Sequence, residues 1–251
     1  MDENQNIIQS SQWFGKREKN MKYFGEGLSE KHKDLNRMIR NREKLPEAKK
    51  LFLEIHENLF PSEMAGGSEN EVDGLFRDLT DQEYAVMPKS KDETIGWVVW
   101  HIARIEDLTM NILVGRRNQI FNEDWKKRLH VSITDTGNAL QDEEIMMLSK
   151  EADIQELLKY RNEVGRQTRE LVQSLTPEDM RRKVFGDDLD RILNEGGVTR
   201  QEESFWLLDF WGKKDVAGLL LMPPTRHVML HLNDCFRWKE EIRTKKKFFL
   251  V

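Results

Sequence analysis

The stretch TIGWVVWHIARIED, residues 94–107, decides the fold class of this chain. Its apolar side chains recur with the 3.6-residue period of an α-helix and continue past its end, on one broad face that contains Ile95, Val98, Val99, Ile102, Ile105, Ile112 and Leu113. Gly115 is a suitable C-terminal cap for such a helix. The pattern therefore predicts a long helix over 93–114 with His101 near its middle.

Three more amphipathic helices show the same period, whereas alternating strand patterns are nearly absent. One opens at Pro46, a favoured first-turn residue, and ends before Pro61. Another covers 152–175, and the last runs from Pro223 to 244. The segments between them are too long for a minimal bundle, and 181–222 gives no clear period. We therefore predict an all-α fold, a four-helix bundle with long crossover connections and extra short helices.

The chain divides into two predicted parts. Residues 1–45 form a very polar N-terminal extension, partly helical over 28–44. Its many charges favour an exposed arm, accessory or partner-contacting, rather than core. Residues 46–251 form the bundle domain.

Composition argues against several classes of function. The net charge is −5 and the longest basic run is Lys245–Lys247, so we expect no nucleic-acid partner. No apolar run has the length of a signal peptide or of a membrane span. A single cysteine, Cys235, allows no internal disulfide and fits a reducing compartment, so we expect a cytoplasmic location. P-loop, GxGxxG, GxSxG and HExxH motifs are absent, which leaves nucleotide binding and serine-hydrolase chemistry without support.

His227 and His231 lie four residues apart on the predicted fourth helix. This spacing places both imidazoles on one helix face, where two nitrogens can converge on a metal ion. His227 follows Pro224 in the first turn, where the positive end of the helix dipole favours the neutral, ligating imidazole. The alternative is a histidine pair without metal, which the spacing alone does not separate from a metal site.

His101 makes the metal interpretation stronger. A single histidine on an apolar helix is more often a hydrogen-bonded core residue than a ligand. Here, however, a histidine pair lies on another predicted helix of the same bundle. Metal sites in bundle interiors commonly use side chains from facing helices. The sequence therefore predicts a divalent metal ion held by His101, His227 and His231. Three protein ligands leave a position open for water or substrate, which is the pattern of a catalytic site.

Two further residues are candidates near the pair. Asp234, seven residues after His227, is a candidate to orient a ligand or accept a proton, although a solvated or ion-paired carboxylate is an equal alternative. Cys235, four residues after His231, is a candidate fourth ligand or reactive thiol, although we favour a small buried apolar residue.

The other histidines and the tryptophans receive simpler interpretations. For His56 we favour a place on the helix surface, and to His32 and His130 we assign no role. The tryptophans are interpreted as core and pocket walls, at positions 97, 100, 206, 211 and 238.

Three motifs, in this order, resemble the DinB/YfiT-like superfamily. Residues 94–107 resemble its second helix, 160–179 its third helix and exit, and Pro224–Leu232, with its HxxxH pair, its fourth helix. The resemblance covers 46–244 and is weakest over 181–222. It implies a four-helix bundle with a three-histidine site for zinc, nickel or a similar ion, often in a homodimer. Some members are thiol-dependent S-transferases or isomerases that use a low-molecular-weight thiol such as bacillithiol, mycothiol or glutathione.

The chain departs from the family after the pair, where many relatives carry a further histidine and an Arg-Gly-Gln run. Here the matching residues are Cys235-Phe-Arg-Trp-Lys, so contacts to substrate are expected to differ. The leading hypothesis is a metal-dependent transferase or hydrolase whose ion activates a thiol or water against a small electrophile. The alternative is a non-catalytic bundle that binds a ligand or partner, with a structural metal or none.

Overall fold

The computed structural model describes residues 23–88 and 93–244, and these residues are helical apart from turns, loops and one isolated antiparallel bridge between Lys183 and Asp215. The predicted all-α class is therefore confirmed. The start of the polar extension, 1–22, and the basic run at 245–247 lie outside the described residues. Within the described residues, no helix has the length and apolar character needed to cross a membrane.

The helices are numbered in chain order and are α1 (Leu28–Met38), α2 (Leu45–Glu57), α3 (Ser62–Ala65), α4 (Glu71–Phe76), α5 (Asp81–Tyr84), α6 (Ile95–Asp107), α7 (Glu123–Leu129), α8 (Asp142–Glu151), α9 (Ile154–Ser174), α10 (Pro177–Met180), α11 (Gly186–Asn194), α12 (Glu202–Gly212), α13 (Val216–Leu220) and α14 (Val228–Arg243). Two π-helical segments extend this set. Leu108–Val114 continues α6 without a break, and Met222–His227 leads directly into α14.

Four long helices make the bundle. These are α2, α6 with its π-helical continuation, α9, and α14 with the π-helical segment before it. Helix α6 lies at the centre, packed against α9 and α14, and every one of its residues is buried. Helix α2 completes the bundle through contacts with α9 and with the π-helical segment before α14. The four long helices predicted from hydrophobic period are the four that surround the core.

Capping groups explain where the bundle helices begin. The Thr94 hydroxyl accepts a hydrogen bond from the Trp97 amide at 3.0 Å, which fixes the first turn of α6. Asp153 caps α9 in the same way through the Glu156 amide at 3.0 Å. Thr176 and Asp179 form a reciprocal capping box at α10.

Helix α1 corrects the expectation of an exposed arm over 28–44. Leu28, Leu35 and Ile39 are buried, and the helix packs against α2. These three residues are spaced by seven and four positions, so they form one apolar stripe within a charged sequence. The stripe docks on the core and only the charged faces are solvated.

Polar contacts also attach the extension to the second half of the chain. The His32 ring donates from Nε2 to the Leu221 carbonyl at 2.8 Å, and Arg40 donates two hydrogen bonds to Asp215, at 2.7 and 3.0 Å. Phe24 stacks on Phe236 with 5.0 Å between ring centroids. His32, which received no role from the sequence, is therefore a contact to the segment that precedes His227.

Candidate metal centre

The three predicted histidines meet at one point in the bundle. One ligating atom from each of His101, His227 and His231 lies within 4.8 Å of the others. His101 Nε2 and His227 Nε2 lie 3.2 Å apart. The centroid of the His231 ring lies 5.1 Å from that of His101 and 4.6 Å from that of His227. The fold therefore brings His101 of α6 together with the His227/His231 pair, as the sequence predicted.

The orientation of His101 is set by its other ring nitrogen. The Nδ1 atom lies 2.9 Å from the carbonyl oxygen of Thr136, which can only accept, so Nδ1 carries the proton. The lone pair of the neutral ring is then on Nε2, the atom that faces His227. Burial lowers the pKa of His101 to about 4, against a smaller opposing effect of the Thr136 carbonyl, so the ring is neutral at physiological pH.

Residues 134–137, named here the strap, hold that carbonyl in place. Four side chains on one face of α6 donate to four successive strap carbonyls. His101 binds Thr136, and the others are Trp97 Nε1 to Gly137 at 3.0 Å, Trp100 Nε1 to Asp135 at 3.0 Å, and Arg104 Nη2 to Thr134 at 2.8 Å. The donors are spaced i, i+3, i+4 and i+7, which is the spacing of one helix face.

A glycine is required where the strap approaches Trp97 most closely. Gly137 has a φ of 76°, a left-handed conformation, and a Cβ atom added there would lie 2.7 Å from Trp97 Nε1. Any other residue would push the strap away from α6. Sequence reasoning missed the strap because its contacts depend on backbone carbonyls, which leave no residue signature.

His227 and His231 lie on either side of a change in helix geometry. His227 is the last residue of the π-helical segment, and His231 is one turn into α14. Isolated π-helical turns occur frequently at functional sites because the extra residue redirects a side chain. His227 is half-buried and His231 is buried, so the group has one partly open side.

Glu93 is a site residue that the sequence did not single out. Its Oε2 atom lies 4.0 Å from Nδ1 of His231, at the distance of an ion pair with a protonated ring. A carboxylate beside the second nitrogen of a ligating histidine favours the tautomer that presents the other nitrogen to a metal. Glu93 immediately precedes the capping residue Thr94, and this position was the available signal.

The histidines open onto a cavity of about 290 Å³. Its walls are mostly apolar and include Trp97 of α6, Trp206 and Phe210 of α12, and Met222. The segment 181–222, which the sequence pattern left uninterpreted, therefore supplies part of the cavity wall through α12. Trp206 and Trp211 were correctly predicted as pocket walls.

The donor set fits a divalent ion such as zinc. Two nitrogens that both present lone pairs at 3.2 Å repel each other unless a proton or a cation lies between them. Zinc–nitrogen bonds of about 2.0–2.1 Å place neighbouring nitrogens of a tetrahedral site about 3.3–3.4 Å apart, close to the His101–His227 separation. Three neutral imidazoles are also a common ligand set for zinc, copper, iron and nickel.

Asp234 and Cys235 lie outside this group of ligating atoms in the described residues. Asp234 is buried and its Oδ1 atom accepts from Arg237 at 3.0 Å, the ion-paired alternative considered for it. Cys235 is fully buried, and burial together with the charge of Asp234 raises the pKa of its thiol well above the usual value. These surroundings suit the small buried residue favoured for Cys235, and a role in chemistry for either side chain stays a prediction.

His56 is in the core, so its predicted place on the helix surface is wrong. Its Nε2 atom lies 2.9 Å from Glu106 Oε1, with both side chains almost fully buried. The ring also stacks with Phe52 at 5.5 Å and contacts Phe60 at 4.6 Å. The buried carboxylate of Glu106 on α6 is the polar partner that allows the His56 ring to be buried. The sequence pattern of α2 alone does not reveal a partner on another helix.

The fold and the three-histidine group define a helical-bundle protein with a candidate metal site. The profile of the DinB superfamily matches residues 67–233, and the chain belongs to this superfamily. The match contains all three histidines and confirms both the resemblance and the four-helix bundle fold expected from it. The comparison with curated proteins gives no match.

Proposed function

We propose that this protein is a metal-dependent enzyme in which His101, His227 and His231 hold one divalent ion, zinc or nickel. The observation that carries the proposal is the placement of the three imidazoles at the wall of a 290 Å³ cavity. A closed structural site would have four protein ligands, whereas this group offers three histidines and an adjoining space.

The ion, when bound, would lower the pKa of a water or thiol in its open position and so supply a nucleophile at neutral pH. The chain's own residues prepare the site for this. Thr136 fixes the tautomer of His101, and Glu93 favours the proton on Nδ1 of His231. The apolar walls limit bulk water, which strengthens electrostatic interactions inside the cavity.

The proposed reaction is the transfer of a thiol, or of water, onto a small electrophile. The sulfur or oxygen nucleophile forms a bond to the electrophilic carbon while the leaving group departs with the bonding electron pair. The proton of the nucleophile passes to water. The family resemblance supports a low-molecular-weight thiol as cosubstrate and a homodimer as the working assembly, which sedimentation analysis would test.

Metal content is the first experiment. Protein purified without added metal is expected to carry one divalent ion per three-histidine group, measured by inductively coupled plasma mass spectrometry. His227→Ala removes a half-buried ligand and is expected to lose the ion while remaining folded. His130→Asn is the matched control, because His130 is exposed, lies away from the group and has a left-handed φ of 55° that asparagine tolerates.

Two results would contradict the proposal. One is wild-type protein that contains no metal and whose unfolding midpoint does not rise when zinc or nickel is added. The other is His227→Ala with unchanged metal content. Cys235→Ala separates an open site from a closed one, since the open site retains its ion in this variant and a site with sulfur as a fourth ligand loses it.

A further inference from the structure

Helix α12 presents to the cavity two aromatic side chains that are not buried in the core, Trp206 and Phe210. Trp206 lines the cavity and is 40% exposed, and Phe210 lines it and is half-buried. Their rings meet edge to face with centroids 6.0 Å apart, so they form a shared surface. Exposed aromatic surface is unfavourable in water, and where it adjoins a cavity it marks a binding surface.

A second aromatic surface begins at the histidines. The Trp97 ring stacks on His101, with 4.5 Å between centroids and 13° between planes, and Trp97 also lines the cavity. The cavity is therefore aromatic both beside the candidate metal site and at its exposed side, where Trp206 lies. A flat ligand would contact ring surfaces along its length.

The volume of the cavity limits the size of the ligand. A cavity of roughly 150 Å³ is enough to hold benzene. At about 290 Å³ this cavity has room for one ring and a short polar substituent that reaches the histidines. Among the lining residues in the described parts of the chain, Glu93 is the one carboxylate and none is a lysine or arginine. These walls offer an anionic ligand no ion pair.

From these features we propose that the site takes a small molecule with an uncharged aromatic body and a polar reacting end, and that Trp206 determines this specificity. The proposal rests on the proposed function, because the polar end is to bind the ion held by the three histidines. It goes further in naming the chemical class of the substrate and the residue that selects it.

A pair of hydroxamates tests the proposal on the zinc-loaded full chain. Acetohydroxamate and benzohydroxamate share one metal-binding group and differ in a methyl or phenyl body. The phenyl body is expected to give a dissociation constant lower by about tenfold or more, because it buries a ring against the aromatic walls. Titration calorimetry measures both dissociation constants. Because the two compounds bind the ion through the same group, the ratio of the constants reports the effect of the phenyl or methyl body.

The variants locate the effect. Trp206→Ala is expected to reduce the ratio to about threefold or less, because the exposed part of the aromatic surface is lost. Phe205→Ala is the control, since Phe205 is the adjacent residue, is 37% exposed and lies outside the described lining, so it should retain the wild-type ratio. A para-carboxylate on benzohydroxamate is expected to weaken binding.

Each failure has a separate meaning. Equal binding of the two hydroxamates by wild-type protein, or an unchanged ratio in Trp206→Ala, would overturn the aromatic specificity. Tighter binding of the para-carboxylate compound would overturn the uncharged body. If zinc-loaded protein binds neither hydroxamate, the open metal position is absent and the proposed function itself fails. The comparison within wild-type protein stands even if a variant does not fold.

Discussion

The Nδ1 atom of His101 donates a hydrogen bond of 2.9 Å to the carbonyl oxygen of Thr136, which lies 35 residues further along the chain. This one bond joins the central helix of the bundle to the strap and leaves the lone pair of Nε2 directed at the other two histidines. The strap is held by three more side chains of α6, so the geometry of a candidate ligand also depends on the strap contacts of Trp97, Trp100 and Arg104.

Trp100→Phe tests that dependence. The substitution removes the indole N–H that binds the Asp135 carbonyl and leaves most of the ring volume in place. We expect zinc to bind about three- to tenfold more weakly, which is less than the loss for a direct partner of a ligand, because only one of four strap contacts is broken. Competition with a chromophoric chelator gives the dissociation constant.

Trp238→Phe is the matched control for this experiment. Trp238 is also fully buried and belongs to α14, but the four hydrogen bonds that hold the strap come from other side chains. The zinc affinity of Trp238→Phe shows the effect of removing an indole from the core without breaking a hydrogen bond to the strap. Equal zinc affinity in the two variants and the wild type would show that the strap does not position His101.

The buried pair of His56 and Glu106 gives a prediction about stability. His56→Ala removes a ring from the core and leaves the Glu106 carboxylate without its 2.9 Å partner in a dry environment. Breaking a buried pair in this way is expected to lower the free energy of unfolding by about 3–5 kcal/mol. Urea denaturation measures the change, and His130→Asn, on the surface, should change it by less than about 0.5 kcal/mol. If His56→Ala lowers the free energy of unfolding by less than about 1 kcal/mol, the result would contradict the buried pair and favour the surface position first predicted for His56.

The ion pair between Arg40 and Asp215 predicts a dependence on pH. Burial raises the pKa of Asp215, but hydrogen bonds from Arg40 and the Gly218 amide outweigh this effect and hold the pKa below its ordinary value of 3.8. A lowered carboxylate pKa contributes stability that is fully present above the ordinary value and is lost as pH falls through the lowered value. Arg40→Ala should therefore lower the free energy of unfolding by about 1 kcal/mol at pH 7, because the pair is partly exposed.

The difference between Arg40→Ala and wild type is expected to shrink at pH 3 and below, as Asp215 takes up its proton. Urea denaturation at pH 7 and at low pH measures it. Arg42→Ala, which loses a largely exposed pair with Glu178, serves as the neighbouring control and should change stability by less than about 0.5 kcal/mol at either pH. If the difference in the free energy of unfolding between Arg40→Ala and wild type grows on acidification, the lowered pKa assigned to Asp215 is contradicted.

Hydrophobic period was sufficient to predict the bundle because its four long helices are amphipathic over several turns. Gly115 marked the end of the second predicted helix, and it is the C-terminal cap of the π-helical continuation of α6. The period failed over 181–222, where α11, α12 and α13 are short and where α12 exposes aromatic side chains on the face that should be polar. A helix that contributes apolar side chains to a binding surface is apolar on more than one face. It therefore lacks the amphipathic period by which a helix is recognised in sequence.

The candidate site was predictable to the extent that its residues follow helical spacing. His227 and His231 are one turn apart, and His101 stood out as a polar residue on an apolar helix. The strap was not predictable, because its position depends on how the crossover from α7 to α8 folds back over α6. For Glu93, the place before the capping residue Thr94 was the one signal in the sequence, and it does not indicate a contact with His231. Whether His56 was buried depended on Glu106, a partner on another helix that one-dimensional spacing does not indicate.

The docking of α1 and α2 has a consequence for how the protein is divided. The span that identifies the superfamily, residues 67–233, begins after both helices. Yet Leu35 of α1 and Phe52 and Ile55 of α2 are among the most deeply buried side chains of the protein. The hydrophobic core therefore extends beyond the span matched by the superfamily, and we expect the residues before 67 to unfold together with that span. A fragment cut at the inherited boundary would lack one side of its own core, so we expect it to aggregate where the longer chain stays monodisperse.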